Sequence, residues 1–232
     1  THLIIGNDGV IVVDAKTTAD SAKMVLAEIA KLTPKPVTTV ILTHSDGDHV
    51  NGLAAYPLGL TIIAQENCKK EIEATAGKPN ASPQDHLPTK TFDKKESLTI
   101  NGVKINLSHY APAHTSGDTQ VYLPDQKIAF TGDITATNNM YTRIHDEKNG
   151  TLEGWVTTVK GLIALNATSY VPGHGDLQTA RRDEIAKLVK EGKSLDDIKK
   201  ALGEVDPPAN PNGPPPANSF TTVVYNELKK KS

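Results

Sequence analysis

A short segment of the chain, residues 43–52 (T-H-S-D-G-D-H-V-N-G), concentrates side chains that bind metal ions. It carries two histidines and two aspartates within six positions, from His44 to His49. The apolar run at 37–42 that precedes it predicts a buried strand, so these side chains follow directly on a strand end. Imidazole and carboxylate groups without a thiolate are ligands for zinc, iron or manganese. The segment therefore indicates a metal site at the edge of a sheet.

Three later segments repeat this arrangement, in which a predicted strand is followed by a turn of small residues with a histidine or an aspartate. His114 lies in A-P-A-H-T-S-G-D, Asp133 in F-T-G-D and His174 in V-P-G-H-G. Loops at the strand ends of a rigid sheet are common places for active sites, and glycine lets the backbone turn sharply there. Seven ligand groups exceed what one tetrahedral ion binds, so the pattern predicts two metal ions that share a carboxylate. The candidate ligands are His44, Asp46, Asp48, His49, His114, Asp133 and His174.

The rest of the chain alternates between strand-like and helix-like patterns, which favours an α/β fold with two sheets and helices outside them. The predicted strands are 3–5, 10–14, 37–42, 60–64, a hairpin over 97–110, and 119–123 with 127–131, followed by 168–172. The predicted helices are 18–32, 65–76, 151–165 and a charged stretch at 177–202 that is interrupted at Gly192. Helical spacing places Met24 and Trp155 on core faces, and the face predicted for the helix at 151–165 also includes Leu152 and Ile163. Residues 77–90 and 134–150 are predicted to be long loops that wall the site.

The C-terminal part of the chain changes in composition. Residues 206–216 (D-P-P-A-N-P-N-G-P-P-P) contain too many prolines for regular structure and are predicted to form a tether. An amphipathic helix is predicted after it, at 219–230. We expect one domain over residues 1–232, with this tether and helix at its end.

Composition excludes several classes of function. The formal net charge of the 232 residues is −2 and there is no basic stripe, which argues against a nucleic-acid partner and leaves a small-molecule substrate. No run of about 18 apolar residues predicts a membrane span. The single cysteine, Cys68, excludes an intramolecular disulfide. The chain opens on Thr1 rather than Met, as expected of a trimmed periplasmic or secreted form, with a cytoplasmic location also open.

These four motifs together resemble those of the metallo-β-lactamase-fold superfamily, over most of the chain from residue 10 to residue 175. The resemblance implies a four-layer αββα sandwich with a dinuclear metal site at one edge. It also implies that Asp14, in V-V-D-A, supports the site without touching a metal. By the same resemblance, Asp133 bridges the two ions. The first ion takes His44, Asp46 and His114, and the second takes Asp48, His49 and His174.

One position departs from the family pattern, which is H-x-H-x-D-H where this chain has H-x-D-x-D-H. The family's middle histidine binds through Nδ1, which is two bonds from Cβ, as a carboxylate Oδ also is. Asp46 therefore reaches a similar point and is predicted to be a ligand. The swap adds a negative charge and a harder donor, which should weaken the first metal as a Lewis acid and shift preference from zinc toward iron or manganese.

The function predicted from this site is hydrolysis. Two divalent ions, with zinc expected first, would hold a bridging hydroxide that attacks a small-molecule ester, lactone, thioester or β-lactam. Asp48 is the predicted catalytic residue, orienting the nucleophile and passing its proton to the leaving group. Tyr141, Arg143 and His145, in the second predicted loop, are predicted substrate contacts.

Two other classes stay open at this point. The flavodiiron reductases share the fold and have a carboxylate (Glu) at the position of Asp46, which raises a di-iron redox protein as an alternative. Against it, this chain has no segment long enough for their flavin domain and no G-x-G-x-x-G signature. The second alternative is a domain that binds metal and catalyses nothing.

Overall fold

A computed structural model describes residues 1–136, 143–175, 178–179 and 187–202, together with residues 222, 225 and 229. The predicted tether at 206–216 lies outside these residues, as does nearly all of the helix predicted at 219–230. Within the described ranges, no helix has both the length and the apolar character needed to cross a membrane.

The first sheet has five strands, most of them parallel. In spatial order they are β1 (His2–Ile5), β2 (Val10–Val13), β3 (Val37–Ile41), β4 (Thr61–Gln65) and β5 (Lys90–Phe92). β1 and β2 correspond to the first two predicted strands and pair as an antiparallel hairpin, and β2 through β5 pair in parallel. Because the carboxyl ends of parallel strands meet at one edge of a sheet, the segments that follow β2 and β3 come together there.

The second sheet has six strands. They are β6 (Lys95–Ile100), β7 (Val103–Ser108), β8 (Gln120–Leu123), β9 (Ile128–Ala136), β10 (Ser169–His174) and β11 (Gln178–Thr179), and they neighbour one another in chain order. Only β9 and β10 pair in parallel. The predicted turn between β6 and β7 uses Asn101 (φ 50°) and Gly102 (φ 77°), two residue types that tolerate a left-handed backbone.

The described residues include the helices α1 (Ala19–Leu32), α2 (Gly47–Val50), α3 (Glu66–Thr75), α4 (Leu152–Ala164) and α5 (Leu195–Ala201). α1 and α3 cover the outer face of the first sheet and α4 that of the second, while α5 buries Ile198 in a separate small cluster. Thr18 and Thr151 begin α1 and α4 by accepting a hydrogen bond from the backbone N–H three residues on, which satisfies a free helix donor.

Three clusters of buried apolar residues separate these layers. The first joins α1 and α3 to one face of the first sheet and contains Val12, Val40 and Ile72. The second lies between the sheets, and the third packs α4 against the second sheet through Leu162 and Ile134. The order is helix, sheet, sheet, helix, which is the predicted αββα sandwich.

The predicted core faces of two helices need correction. Met24 is 71% exposed, because it lies two positions, or about 200°, around the helix from buried Ala22. On α4, Leu152 and Ile163 are 66% and 68% exposed. Trp155 does pack against the third cluster, and its Nε1 donates to the carbonyl of Ile134.

Several predicted strand and loop boundaries were also wrong. Asp133 and His174 do not follow strands but lie inside β9 and β10, and β9 continues to Ala136. Gly132 (φ 50°) sits where the pairing of β9 with β10 shifts register, so the strand bends there and resumes. The predicted loop at 77–90 is confirmed up to residue 89, with one 3-10 turn at Gln84–His86, and β5 begins at Lys90. Residues 178–179, by contrast, pair as β11 instead of being helical.

Candidate metal centre

The seven predicted ligands meet at one edge of the sandwich. His44 and Asp46 lie in the segment that leaves β3, while Asp48 and His49 lie on α2, which begins at Gly47. His114 lies in the turn between β7 and β8. Asp133 and His174 are supplied by the adjacent parallel strands β9 and β10. Their use as metal ligands stays a prediction, but the fold brings all seven side chains together.

The first group of donors contains His44, Asp46 and His114, whose ligand atoms lie within 4.8 Å of one another. Asp46 Oδ2 is 3.2 Å from His114 Nε2 and 3.8 Å from His44 Nε2. Both histidine side chains are only 1% exposed. This group is therefore the deeper of the two.

The second group contains Asp48, His49 and His174. His174 Nε2 is 3.0 Å from Asp48 Oδ2 and 3.3 Å from His49 Nε2. The side chains of Asp48 and His174 are 40% and 35% exposed. This group therefore opens toward solvent, and it is the side from which a substrate can approach.

Asp133 lies between the two groups. Its Oδ2 is 3.9 Å from Nε2 of both His44 and His114 and 3.3 Å from His174 Nε2, while its Oδ1 is 3.4 Å from His49 Nε2. The backbone makes room for this carboxylate, because a Cβ at Gly173 would lie 2.1 Å from Asp133 Oδ1. The carboxylate thus faces histidines of both groups.

The donor set fits divalent metal ions. Two ligands at about 2.0–2.1 Å from a tetrahedral ion are about 3.3 Å apart, close to the separations within both groups. His44 Nε2 and Asp133 Oδ1 are buried and have no hydrogen-bond partner among the described residues. Buried polar atoms are rarely left unpaired, so these two atoms indicate missing partners at the places where ions would sit.

Hydrogen bonds set the tautomers of three histidines. Asp14 Oδ2 accepts from His49 Nδ1 at 2.8 Å and from the hydroxyl of Thr43, whose Oγ1 in turn accepts from His44 Nδ1 at 2.9 Å. The carbonyl of Arg143 accepts from His114 Nδ1. With each Nδ1 carrying its proton, each Nε2 has its lone pair available for a metal.

The charges of the site favour a bound cation. Burial opposes protonation of His49, but Asp14, Asp48 and Asp133 outweigh it and raise the pKa of His49 to about 10. Burial likewise opposes ionisation of Asp46, yet His114, His44 and Lys148 hold the pKa of that carboxyl well below its usual range. Burial and the neighbouring imidazoles lower the pKa of His44. In the absence of a metal ion, some of these side chains would therefore carry protons.

Two acids that the sequence reasoning did not single out, the buried Asp118 and the half-buried Glu71, hold the ligand loops in place. Asp118 accepts hydrogen bonds from the backbone N–H groups of Ala113 and Thr115, on both sides of His114. Glu71, on α3, accepts from Ser45 and from Ser116 and so joins the first ligand segment to the His114 turn. Asp118 is the last residue of the motif A-P-A-H-T-S-G-D, so the sequence offered a signal that it belongs to the site. Glu71 lies in no such motif and could not be recognised from the sequence.

The predicted substrate contacts have mixed outcomes. Tyr141 lies outside the described residues. Arg143 is exposed, and its contact with the site is the backbone hydrogen bond to His114. His145 lies beside the first group, with Nε2 3.1 Å from Asp46 Oδ2 and Nδ1 paired with Glu147. Lys148, which the sequence reasoning missed, forms an ion pair with Asp46. Contact of Tyr141, Arg143 and His145 with substrate stays a prediction.

The fold and the ligand pattern together define a protein family, and comparison with known proteins agrees. The profile of the metallo-beta-lactamase superfamily matches residues 1–174. The chain therefore belongs to the metallo-beta-lactamase superfamily.

Individual relatives are distant. The linear primary-alkylsulfatase of Pseudomonas sp. is 24% identical over 82% of this chain and 44% of its own length. The alpha subunit of the 2,4-dinitroanisole O-demethylase of Nocardioides sp. is 28% identical over 75% of this chain and 52% of its own. This chain thus spans about half the length of these two relatives. The solved metallo-beta-lactamase from Pontibacter korlensis superposes with a TM-score of 0.63, at 22% identity, over 75% of this chain and 79% of that one.

Proposed function

We propose that this chain is a metal-dependent hydrolase with a dinuclear site. His44, Asp46 and His114 would hold one divalent ion, Asp48, His49 and His174 the other, and Asp133 would lie between them. The position of Asp133 is the observation that carries the proposal, because its carboxylate faces histidines of both groups at 3.3–3.9 Å. Zinc is the expected metal, with iron or manganese as alternatives.

Bound divalent ions would activate a water molecule near neutral pH and polarise the oxygen of the bond to be cleaved. Orientation of the water and transfer of its proton would depend on side chains of the chain itself. Asp48 lies at the solvent side of the site, 3.0 Å from His174 Nε2, where its carboxylate can orient the attacking water. The same carboxylate can take the proton and pass it to the leaving group.

We infer that the substrate is a small molecule with an ester, lactone, thioester or β-lactam bond. Membership of the superfamily supports this choice, and the exposure of Asp48 and His174 gives such a molecule access to the site. The relatives include an alkylsulfatase and metallo-beta-lactamases, so a sulfate ester belongs among the substrates to be tested.

The test is turnover of a small panel by the purified chain. We would assay a nitrophenyl ester, an aliphatic lactone, an acyl thioester, a chromogenic β-lactam and an alkyl sulfate, before and after dialysis against a chelator. The proposal predicts hydrolysis of at least one of them, lost with the chelator and restored by zinc. Asp48→Asn should lower the rate by about 100-fold or more, as expected for loss of a group that transfers protons.

The matched control is Asp93→Asn, which removes a carboxylate that is not among the seven ligands. It should leave the rate unchanged. Purified protein that contains iron, absorbs visible light and hydrolyses none of the panel would support the di-iron redox alternative. Protein that binds metal and shows neither property would support a binding domain without catalysis.

A further inference from the structure

The two oxygens of Asp46 have different partners. Oδ2 faces the first group of donors, 3.2 Å from His114 Nε2. Oδ1 instead accepts a hydrogen bond from Lys148 Nζ at 2.5 Å. The Asp46 side chain is 16% exposed and the Lys148 side chain 28%, so water screens this ion pair less than one on the open surface. A lysine ammonium is thus part of the surroundings of the first site.

The position of Lys148 is built into the fold. Its Nζ also donates to Ser45 Oγ at 3.1 Å, and the hydroxyl of Ser45 donates to Glu71 on α3. The short turn Asp146–Lys148 is tied to the ligand loop by the backbone hydrogen bond from His145 N–H to the carbonyl of His114. The Lys148 ammonium is therefore held next to Asp46 both by its hydrogen bond to Ser45 and by the attachment of its turn to the His114 loop.

This ion pair changes the expected effect of having an aspartate where the family has a histidine. An imidazole is neutral when it binds a metal, whereas Asp46 alone adds one negative charge. Lys148 adds one positive charge next to it. The formal charge around the first ion is then the same as with three neutral histidines.

We propose that Asp46 and Lys148 act together as the replacement for the family's middle histidine, with Lys148 as the charge partner of a metal ligand. This rests on the proposed function, since it requires an ion at the first site. Lys148 is a positioning residue that touches neither ion nor substrate. The pair keeps the first ion as strong a Lewis acid as the family pattern provides, which offsets the tilt toward iron or manganese predicted from Asp46 alone.

Variants that change the charge of each partner, singly and together, test the proposal in the full chain. Zinc affinity is measured by competition with a chelating indicator in wild type, Lys148→Met, Asp46→His and the double variant. Lys148→Met leaves Asp46 uncompensated and should bind zinc at the first site more tightly. Asp46→His leaves the ammonium uncompensated and should bind more weakly. Each change should be about tenfold or more, and the double variant should return close to wild type.

Two further variants separate charge from structure. Lys148→Arg keeps the charge and should bind zinc within about threefold of wild type. Lys104→Met removes a lysine from the exposed ion pair with Asp125 and should change nothing. Thermal unfolding of each variant verifies that it is folded.

The outcomes distinguish the two proposals. If both wild type and Lys148→Met bind two zinc ions per chain with equal affinity at the first site, the role of Lys148 is overturned and the proposed function stays intact. Weaker binding in Lys148→Met, or tighter binding in Asp46→His, would also overturn it. A wild-type chain that binds no zinc, iron or manganese would refute the proposed function and this inference with it.

Discussion

Asp14 Oδ2 accepts a hydrogen bond from His49 Nδ1 at 2.8 Å, and through Thr43 the same carboxylate also orients His44. One buried acid therefore sets the tautomer of a predicted ligand in each of the two metal groups. Asp14 has φ 63°, a left-handed backbone that aspartate and asparagine tolerate better than most residues. It follows directly on β2, where the parallel strands end.

Removal of the negative charge of Asp14 should weaken metal binding. Asp14→Asn keeps the backbone preference and similar size but takes away the negative charge that supports His49. We expect zinc affinity to fall by about 10–100-fold, measured by competition with a chelating indicator. Asp8→Asn, at an exposed turn position, is the control. Unchanged affinity in Asp14→Asn would mean that Asp14 supports the fold alone.

Metal binding should release protons. The carboxylates around His49 raise its pKa to about 10, so without metal this histidine carries a proton at pH 7 and must lose it to bind an ion. Zinc affinity should therefore rise with pH across the neutral range. Titration calorimetry in buffers of different ionisation enthalpy measures the number of protons released, and we expect about one. Release of none would contradict the protonated state of His49.

Asp118 should contribute strongly to stability. It is 4% exposed and accepts hydrogen bonds from the backbone N–H groups of Ala113 and Thr115. Asp118→Ala leaves these buried donors unpaired, at a cost of about 1–3 kcal/mol each in the free energy of unfolding. Asp118→Asn keeps one acceptor oxygen and should lose less. Urea unfolding measures the free energy of unfolding of both variants. Equal stability of Asp118→Ala and wild type would show that water replaces the carboxylate.

Cys68 should be unreactive in the folded protein. It is fully buried on α3, and burial, assisted by the negative charge of Glu71, raises the pKa of its thiol well above the ordinary value. The thiolate is the reactive form, so alkylation at pH 8 should be slow until denaturant is added. Mass spectrometry after a timed reaction with iodoacetamide measures this. Rapid labelling of the native chain would show that α3 opens readily.

Much of the fold follows from local patterns. The apolar run before His44, the Asn101-Gly102 turn and the Thr-capped helices are each specified by neighbouring residues, and each lies where the sequence predicts. Met24 and Ile163 were placed wrongly because helical spacing does not fix the width of the face that a helix buries. The continuation of β9 past Gly132 depends on its pairing with β10, a partner distant in sequence.

The candidate ligands were visible in sequence because each occupies a short motif with small neighbours. Their grouping into two sets was not visible in spacing and came from the family resemblance. In the structure the donors form overlapping clusters: His44 with Asp46 and His114, Asp48 with His49 and His174, and a third that joins His44 and His49 to Asp133. Their division between two ions stays a prediction. Lys148 and Glu71 could not be found in this way. Their roles come from contacts with Asp46 and Ser45 that join segments tens of residues apart, in ordinary charged stretches.

The most direct test of a dinuclear site is elemental analysis by plasma mass spectrometry of protein purified without added metal. Wild type should contain about two divalent ions per chain, and Asp46→Ala should fall toward one, because the first group would keep only its two histidines. A single ion per chain, unchanged by Asp46→Ala, would contradict the account and leave a site built on Asp48, His49 and His174.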